Sequence, residues 1–78
     1  MKNVTLISKD DCHLCEIAKG VILEAQKKIS FKLMERKIVP GNEEFDDYHE
    51  RVPVVLINDE FAFQYKVSEL QLLDRLIT

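Results

Sequence analysis

The chain has 78 residues, enough for one domain with a single modest core and too few for two. Hydrophobic residues make up 46% and charged residues 32%, a balance that argues against disorder. A net charge of −3, with no dense Lys/Arg run, gives no support for a nucleic-acid partner, and no apolar stretch approaches the ~18 residues of a membrane span.

The opening "MKNVTLISKDD" turns charged after four largely apolar positions. It reads as a first strand, Val4 to Ile7, and not as a secretory signal, so a cytoplasmic location is the expectation. The continuous apolar run predicts a central strand buried on both faces. Lys9, Asp10 and Asp11 form a polar turn. Leu14, Ala18, Val21, Ile22, Ala25 and Ile29 then recur at helical spacing, which predicts an amphipathic helix of about four turns beginning at or near Cys12. Phe31, Leu33 and Glu35 alternate with Lys32, Met34 and Arg36, as in a half-exposed edge strand. Strand, helix, strand in this order predicts a parallel pair joined by a right-handed crossover.

Pro40-Gly41 ends the second strand. Asn42 followed by Glu43 and Glu44 suits either the cap of a short helix turning Phe45 and Tyr48 inward or a loop. A hairpin follows, with Val54 to Ile57 as one strand, Asn58-Asp59 as the turn, and Phe61, Phe63 and Tyr65 alternating with Ala62 and Gln64. Ser68 and Gln71 fit a capping box before a last helix expected to bury Leu70, Leu73, Leu76 and Ile77. The sum is an α/β domain over residues 1–78, βαβ then ββα, with a four-stranded mixed sheet, flanking helices and a middle helix that is short or absent.

Cys12 and Cys15 are the only cysteines. A close pair in a reducing compartment is a poor structural staple, and a loop this short adds little stability as a cross-link. At a helix start, unpaired N–H groups and the macrodipole favour a thiolate on Cys12. Such sites lower a cysteine pKa from about 8.5 to roughly 3.5–7.5. Lys9 adds to that effect and Asp10 and Asp11 oppose it, so a moderate depression is expected. Cys15, one turn further on the same face, is placed to attack a mixed disulfide on Cys12. These positions make Cys12 the nucleophile and Cys15 the resolving thiol. The cysteines supply half of a zinc site, which His13 and His49 would complete by number, but His13 lies between them and turns away from at least one. A metal or cluster shared across a dimer would need ligands from a second chain. Two inert cysteines are a further alternative, one that fits Cys15 better than Cys12. His13 is read as a partly exposed neighbour that tunes the local field when protonated. Val52-Pro53 opens a strand, with a trans or a cis bond equally open.

Taken together, "CHLC" after a first strand, "RVPVVLIND" and the element order resemble the glutaredoxin branch of the thioredoxin fold, and within it the short glutaredoxin-like proteins. The resemblance covers essentially the whole chain. It implies a thiol–disulfide oxidoreductase in which Cys12 attacks and Cys15 resolves. It further implies that Pro53 is cis and faces the pair, that the Val52 backbone pairs with a bound thiol peptide, and that Lys9 matches a lysine near the glutathione carboxylate. His13-Leu14 replaces the usual Pro-Tyr or Pro-Phe, and "FQYKVSEL" replaces a Gly-Gly turn that holds the glutamyl end of glutathione. On this reading no cofactor is tightly bound and no metal is held. Glutathione is a candidate co-substrate. The partners are a disulfide-bearing protein or small molecule and a glutathione or thioredoxin-type reductant, with no nucleic acid and no membrane, and the chain acts as a monomer. The alternative is a non-catalytic redox-sensing or metal-binding module using the same pair.

Overall fold

The computed structural model describes residues 2–77. Seven elements follow in the order β1 (Asn3–Lys9), α1 (His13–Lys28), β2 (Lys32–Ile38), α2 (Glu43–Tyr48), β3 (Val54–Ile57), β4 (Glu60–Gln64) and α3 (Glu69–Ile77). The sheet order is β2-β1-β3-β4. β1 therefore lies inside the sheet, and Val4 to Ser8 are all buried, as a continuous apolar strand requires. β1 and β2 run parallel in the register Asn3↔Lys32 to Lys9↔Ile38, and β3 is antiparallel to both β1 and β4.

The main core lies between one sheet face and helices α1 and α3. Val4 and Leu6 of β1 and Val55 and Ile57 of β3 meet Ala18, Ile22 and Ala25 of α1 and Leu72 and Leu76 of α3. A second cluster joins Ile7, Ile38, Val52 and Val54 to Cys15, with Phe45 and Tyr48 of α2 packed against it. The segment that suited helix or loop is thus a six-residue helix, capped by the Asn42 side chain, which accepts from the Glu44 N–H at 2.8 Å. An Arg36–Glu44 ion pair at 3.3 Å ties α2 to β2.

Three expectations are corrected. In α3 the buried leucines are Leu72 and Leu76, with Leu73 half-buried, while Leu70 is 80% and Ile77 69% exposed. At about 100° per residue, Leu70 and Leu72 point about 200° apart, and α1 and the sheet select the Leu72 side. Leu14 does not join the inward stripe of α1 and is exposed. The alternation of β4 is broken by an irregularity opposite Val55/Leu56: Phe63 pairs with Val55 and Phe61 with Leu56, leaving Ala62 extra. Ala62 and Phe63 both pack on the main core, Phe61 is turned out, and Tyr65 lies beyond the strand.

The hairpin turn is built as its residues dictate. Asn58 and Asp59 both take left-handed conformations, φ 52° and 67°, which suits a two-residue type I′ connection. Asn58 also clamps the neighbouring strand: its N–H donates to the Asn3 carbonyl and its Oδ1 accepts from the Asn3 N–H. Ser68 caps α3, its Oγ accepting from the Gln71 N–H at 3.3 Å. Glu69 reaches back to Lys28 at 3.1 Å, joining the start of α3 to the end of α1. Among the described residues no helix is long and apolar enough to cross a membrane.

Candidate active site

The site forms where the innermost strand delivers the chain to its longest helix. β1 ends at Lys9, and Asp11, at φ 56°, turns the backbone sharply. Cys12 follows as N-cap of α1 in an extended conformation. Its carbonyl accepts the first helical bond from the Glu16 N–H at 3.2 Å, and its sulfur accepts from the Cys15 N–H at 3.2 Å. A sulfur here does what a serine oxygen does at other helix starts: it satisfies a backbone donor with no partner inside the helix.

The structure holds Cys12 and Cys15 as a disulfide, with Cα atoms 5.2 Å apart. Their environments differ. Cys15 is 4% exposed and packed with Ile7, Ile38, Val52 and Val54. Cys12 is half-buried at the edge of the same cluster. The difference follows from helical spacing: Cys15, Ala18, Ile22 and Ala25 share the inward face of α1.

Val52-Pro53 is cis. Pro53 is fully buried, and Val52 belongs to the cluster that contains both sulfurs. The Val52 N–H donates to the Tyr48 carbonyl at 3.0 Å, and the Pro53 carbonyl accepts from the Tyr65 N–H at 2.9 Å. Lys9, half-buried, donates from Nζ to the His49 carbonyl at 3.0 Å. His13, the first residue of α1, is exposed. His49 stacks on Phe45 with centroids 4.8 Å apart, its Nδ1 lying 2.8 Å from the Phe45 carbonyl. Among the described residues no group of three or more His, Cys, Asp or Glu side chains is placed to hold a metal. The structure thus gathers Cys12, Cys15 and Val52 into one cluster, sets Lys9 in a cleft beside the sulfurs, and leaves His13 facing outward.

That cleft, ≈ 180 Å³, contains a group the sequence reading missed. Ser8, buried at the end of β1, donates from Oγ to Glu35 at 3.4 Å, and Lys19 of α1 holds the other oxygen of Glu35 at 3.2 Å. Lys37 pairs with Asp10 at 3.2 Å on its rim. The signal lay in the parallel register, which sets Leu6 beside Glu35 and Ser8 beside Lys37, and no single segment carries it.

The glutaredoxin-like domain family (DUF836) matches residues 3–77, from the first residue of β1 to the last of α3. This chain belongs to the glutaredoxin-like family. Its fold is thioredoxin-like, a four-stranded mixed sheet with flanking helices, and solved structures share it. A structural-genomics target, XcR50 from X. campestris, superposes with a TM-score of 0.78 at 24% identity, over 95% of each chain. Glutaredoxin 1 from Francisella tularensis, solved with cacodylate, gives 0.65 at 21% identity over 99% of this chain and 96% of its own. Thioredoxin-2 of the malaria parasite gives 0.65 at 14% identity, over 99% and 82%. These likenesses concern the fold. No curated protein matches the chain in sequence. Within this glutaredoxin-like domain the sulfur pair stands at the N-terminus of α1, and a redox role is chemically plausible there.

Proposed function

We propose that this glutaredoxin-like domain is a thiol–disulfide oxidoreductase that cycles between a Cys12/Cys15 dithiol and the disulfide. The observation that carries the proposal is the asymmetry of the pair: the Cys12 sulfur receives a backbone N–H at a helix mouth, while Cys15 lies one turn deeper under apolar side chains.

In the dithiol state the same N–H faces a thiolate, and the macrodipole adds about half a positive charge. The Cys12 thiolate attacks one sulfur of a substrate disulfide, forming a Cys12–substrate bond and expelling the other substrate sulfur as thiolate. Cys15 loses its proton and attacks the Cys12 sulfur. The second substrate thiolate leaves, and the Cys12–Cys15 bond closes. The substrate gains two electrons and two protons, and the pair loses them. An external thiol, glutathione or a thioredoxin-type dithiol, restores the pair. The sulfurs themselves store the electrons, so the cycle uses no tightly bound cofactor. We place the chain in the cytoplasm as a monomer, where a thiol pool keeps such a pair turning over.

The test is turnover. A catalytic amount of the protein, with excess dithiol, is expected to reduce many equivalents of a model protein disulfide. One equivalent per protein and no more contradicts catalysis and leaves the pair as a switch.

A further inference from the structure

The charges of this chain are not spread evenly. The cleft lined by both cysteines holds Asp10, Asp11, Glu16 and Glu35 against Lys9, Lys19 and Lys37, an excess of one negative charge. Residues 42–51, α2 and its flanks, carry five carboxylates, Glu43, Glu44, Asp46, Asp47 and Glu50, against Arg51 alone, with histidine neutral. α2 stands beside the sulfurs: Phe45 and Tyr48 pack on the cluster that contains Cys15 and borders Cys12, and the His49 carbonyl accepts from Lys9. Even with Arg36, which pairs with Glu44 at 3.3 Å, this end holds an excess of four negative charges. The whole chain carries −3, so the rest of the molecule is positive.

We propose, resting on the thiol–disulfide reading above, that the redox end is an acidic docking face that selects polypeptide disulfides with basic residues flanking the reacting cysteine. Asp11 and Glu16 are its specificity-determining residues nearest the sulfur.

The cations of the cleft are already engaged. Lys19 is held by Glu35 at 3.2 Å and Lys37 by Asp10 at 3.2 Å. Lys9 is half-buried, with its ammonium on the His49 carbonyl at 3.0 Å. A ligand carboxylate would have to displace one of these contacts. Asp11 and Glu16, by contrast, are exposed, and among the described residues neither has an ion-pair partner. Both positions adjoin Cys12. Asp11 precedes it directly, about 3.8 Å away between Cα atoms. The Glu16 N–H donates to the Cys12 carbonyl at 3.2 Å, and residues four apart share one face of a helix. Exposed charges act over a Debye length of about 8–10 Å near physiological salt, so both reach a group bonded to the Cys12 sulfur. A face of one sign speeds encounter with opposite charge and rejects like charge. Oxidised glutathione carries more carboxylates than ammoniums and meets this face as like charge. A cysteine between lysines or arginines meets it as opposite charge.

The reaction to be measured is the oxidation of the dithiol protein by a symmetric peptide disulfide, which yields the Cys12–Cys15 disulfide and two peptide thiols. Three peptides of one length carry Lys, Gln or Glu on both sides of the cysteine. Each rate is divided by that of dithiothreitol with the same disulfide, so intrinsic disulfide reactivity cancels. At about 20 mM salt the Lys peptide is expected to react about tenfold faster than the Glu peptide, with Gln between them, and the ratio to fall to about twofold at about 0.5 M. Asp11→Asn/Glu16→Gln is expected to cut the Lys-to-Glu ratio severalfold at low salt. Asn tolerates the left-handed backbone at position 11, φ 56°, and Glu16 is exposed, so the fold is kept. Equal rates for the three peptides, or a faster Glu peptide, overturn the docking face. So does a preference that salt leaves unchanged or that survives the double variant in full. Reaction with none of the three removes the exchange reading and the docking face together.

Discussion

The ammonium of Lys9 donates to the backbone carbonyl of His49, 40 residues along the chain, at 3.0 Å. His49 is the C-cap of α2, so this bond fastens the short helix to the end of the central strand beside the sulfur pair. A half-buried bond from a charged donor contributes about 1–2 kcal/mol. Lys9→Met, which keeps the aliphatic stem, is expected to lower the unfolding free energy by about 1 kcal/mol, read as a lower urea midpoint with an unchanged denaturant slope. No change in midpoint contradicts a structural role for the bond.

The two sulfurs differ in access, and reactivity is expected to follow. In the reduced protein, limiting iodoacetamide at neutral pH is expected to modify Cys12 about tenfold faster than Cys15, because Cys12 is the more exposed of the two and sits at the helix mouth. Peptide mass mapping reads the ratio. Equal labelling contradicts the assigned roles.

The inward face of α3 is tested by a pair of truncations. Leu72 is fully buried, and Leu72→Ala is expected to cost about 2–5 kcal/mol, a large share of what a domain this small has to lose. Leu70 is 80% exposed, and Leu70→Ala is expected to stay within about 0.5 kcal/mol. Thermal unfolding of the two variants decides between the observed face and the one that the spacing alone suggested.

The hairpin turn offers a gain. Asp59 holds φ 67° with a β-carbon, a conformation that glycine adopts at no steric cost. Asp59→Gly is expected to stabilise by about 0.5–1 kcal/mol. Asn58→Gly gains the same backbone ease but loses the side-chain bond to the Asn3 N–H, and is expected to come out lower than Asp59→Gly. Equal midpoints for the two contradict the clamp.

Val4 to Ile7 and Val54 to Ile57 were legible because interior strands need unbroken apolar runs, and this sheet buries both. Cys12 as helix start was legible because the polar turn and the periodic stripe meet there. What escaped depends on elements meeting at a distance. The Ser8–Glu35–Lys19 group exists only in the β1/β2 register under α1. The extra residue at Ala62 has no local marker such as glycine. Leu70 and Leu72 look alike as residues, and only the docked helix distinguishes them.

The most direct test of the account is disulfide trapping. Reduced Cys15→Ser, mixed with a peptide disulfide, is expected to stop as a stable mixed disulfide on Cys12, while Cys12→Ser accumulates none. The wild-type chain is expected to pass on to the Cys12–Cys15 disulfide. Trapping on Cys15 in the Cys12→Ser protein, or equal inertness of both variants alongside stoichiometric zinc in the purified chain, contradicts it.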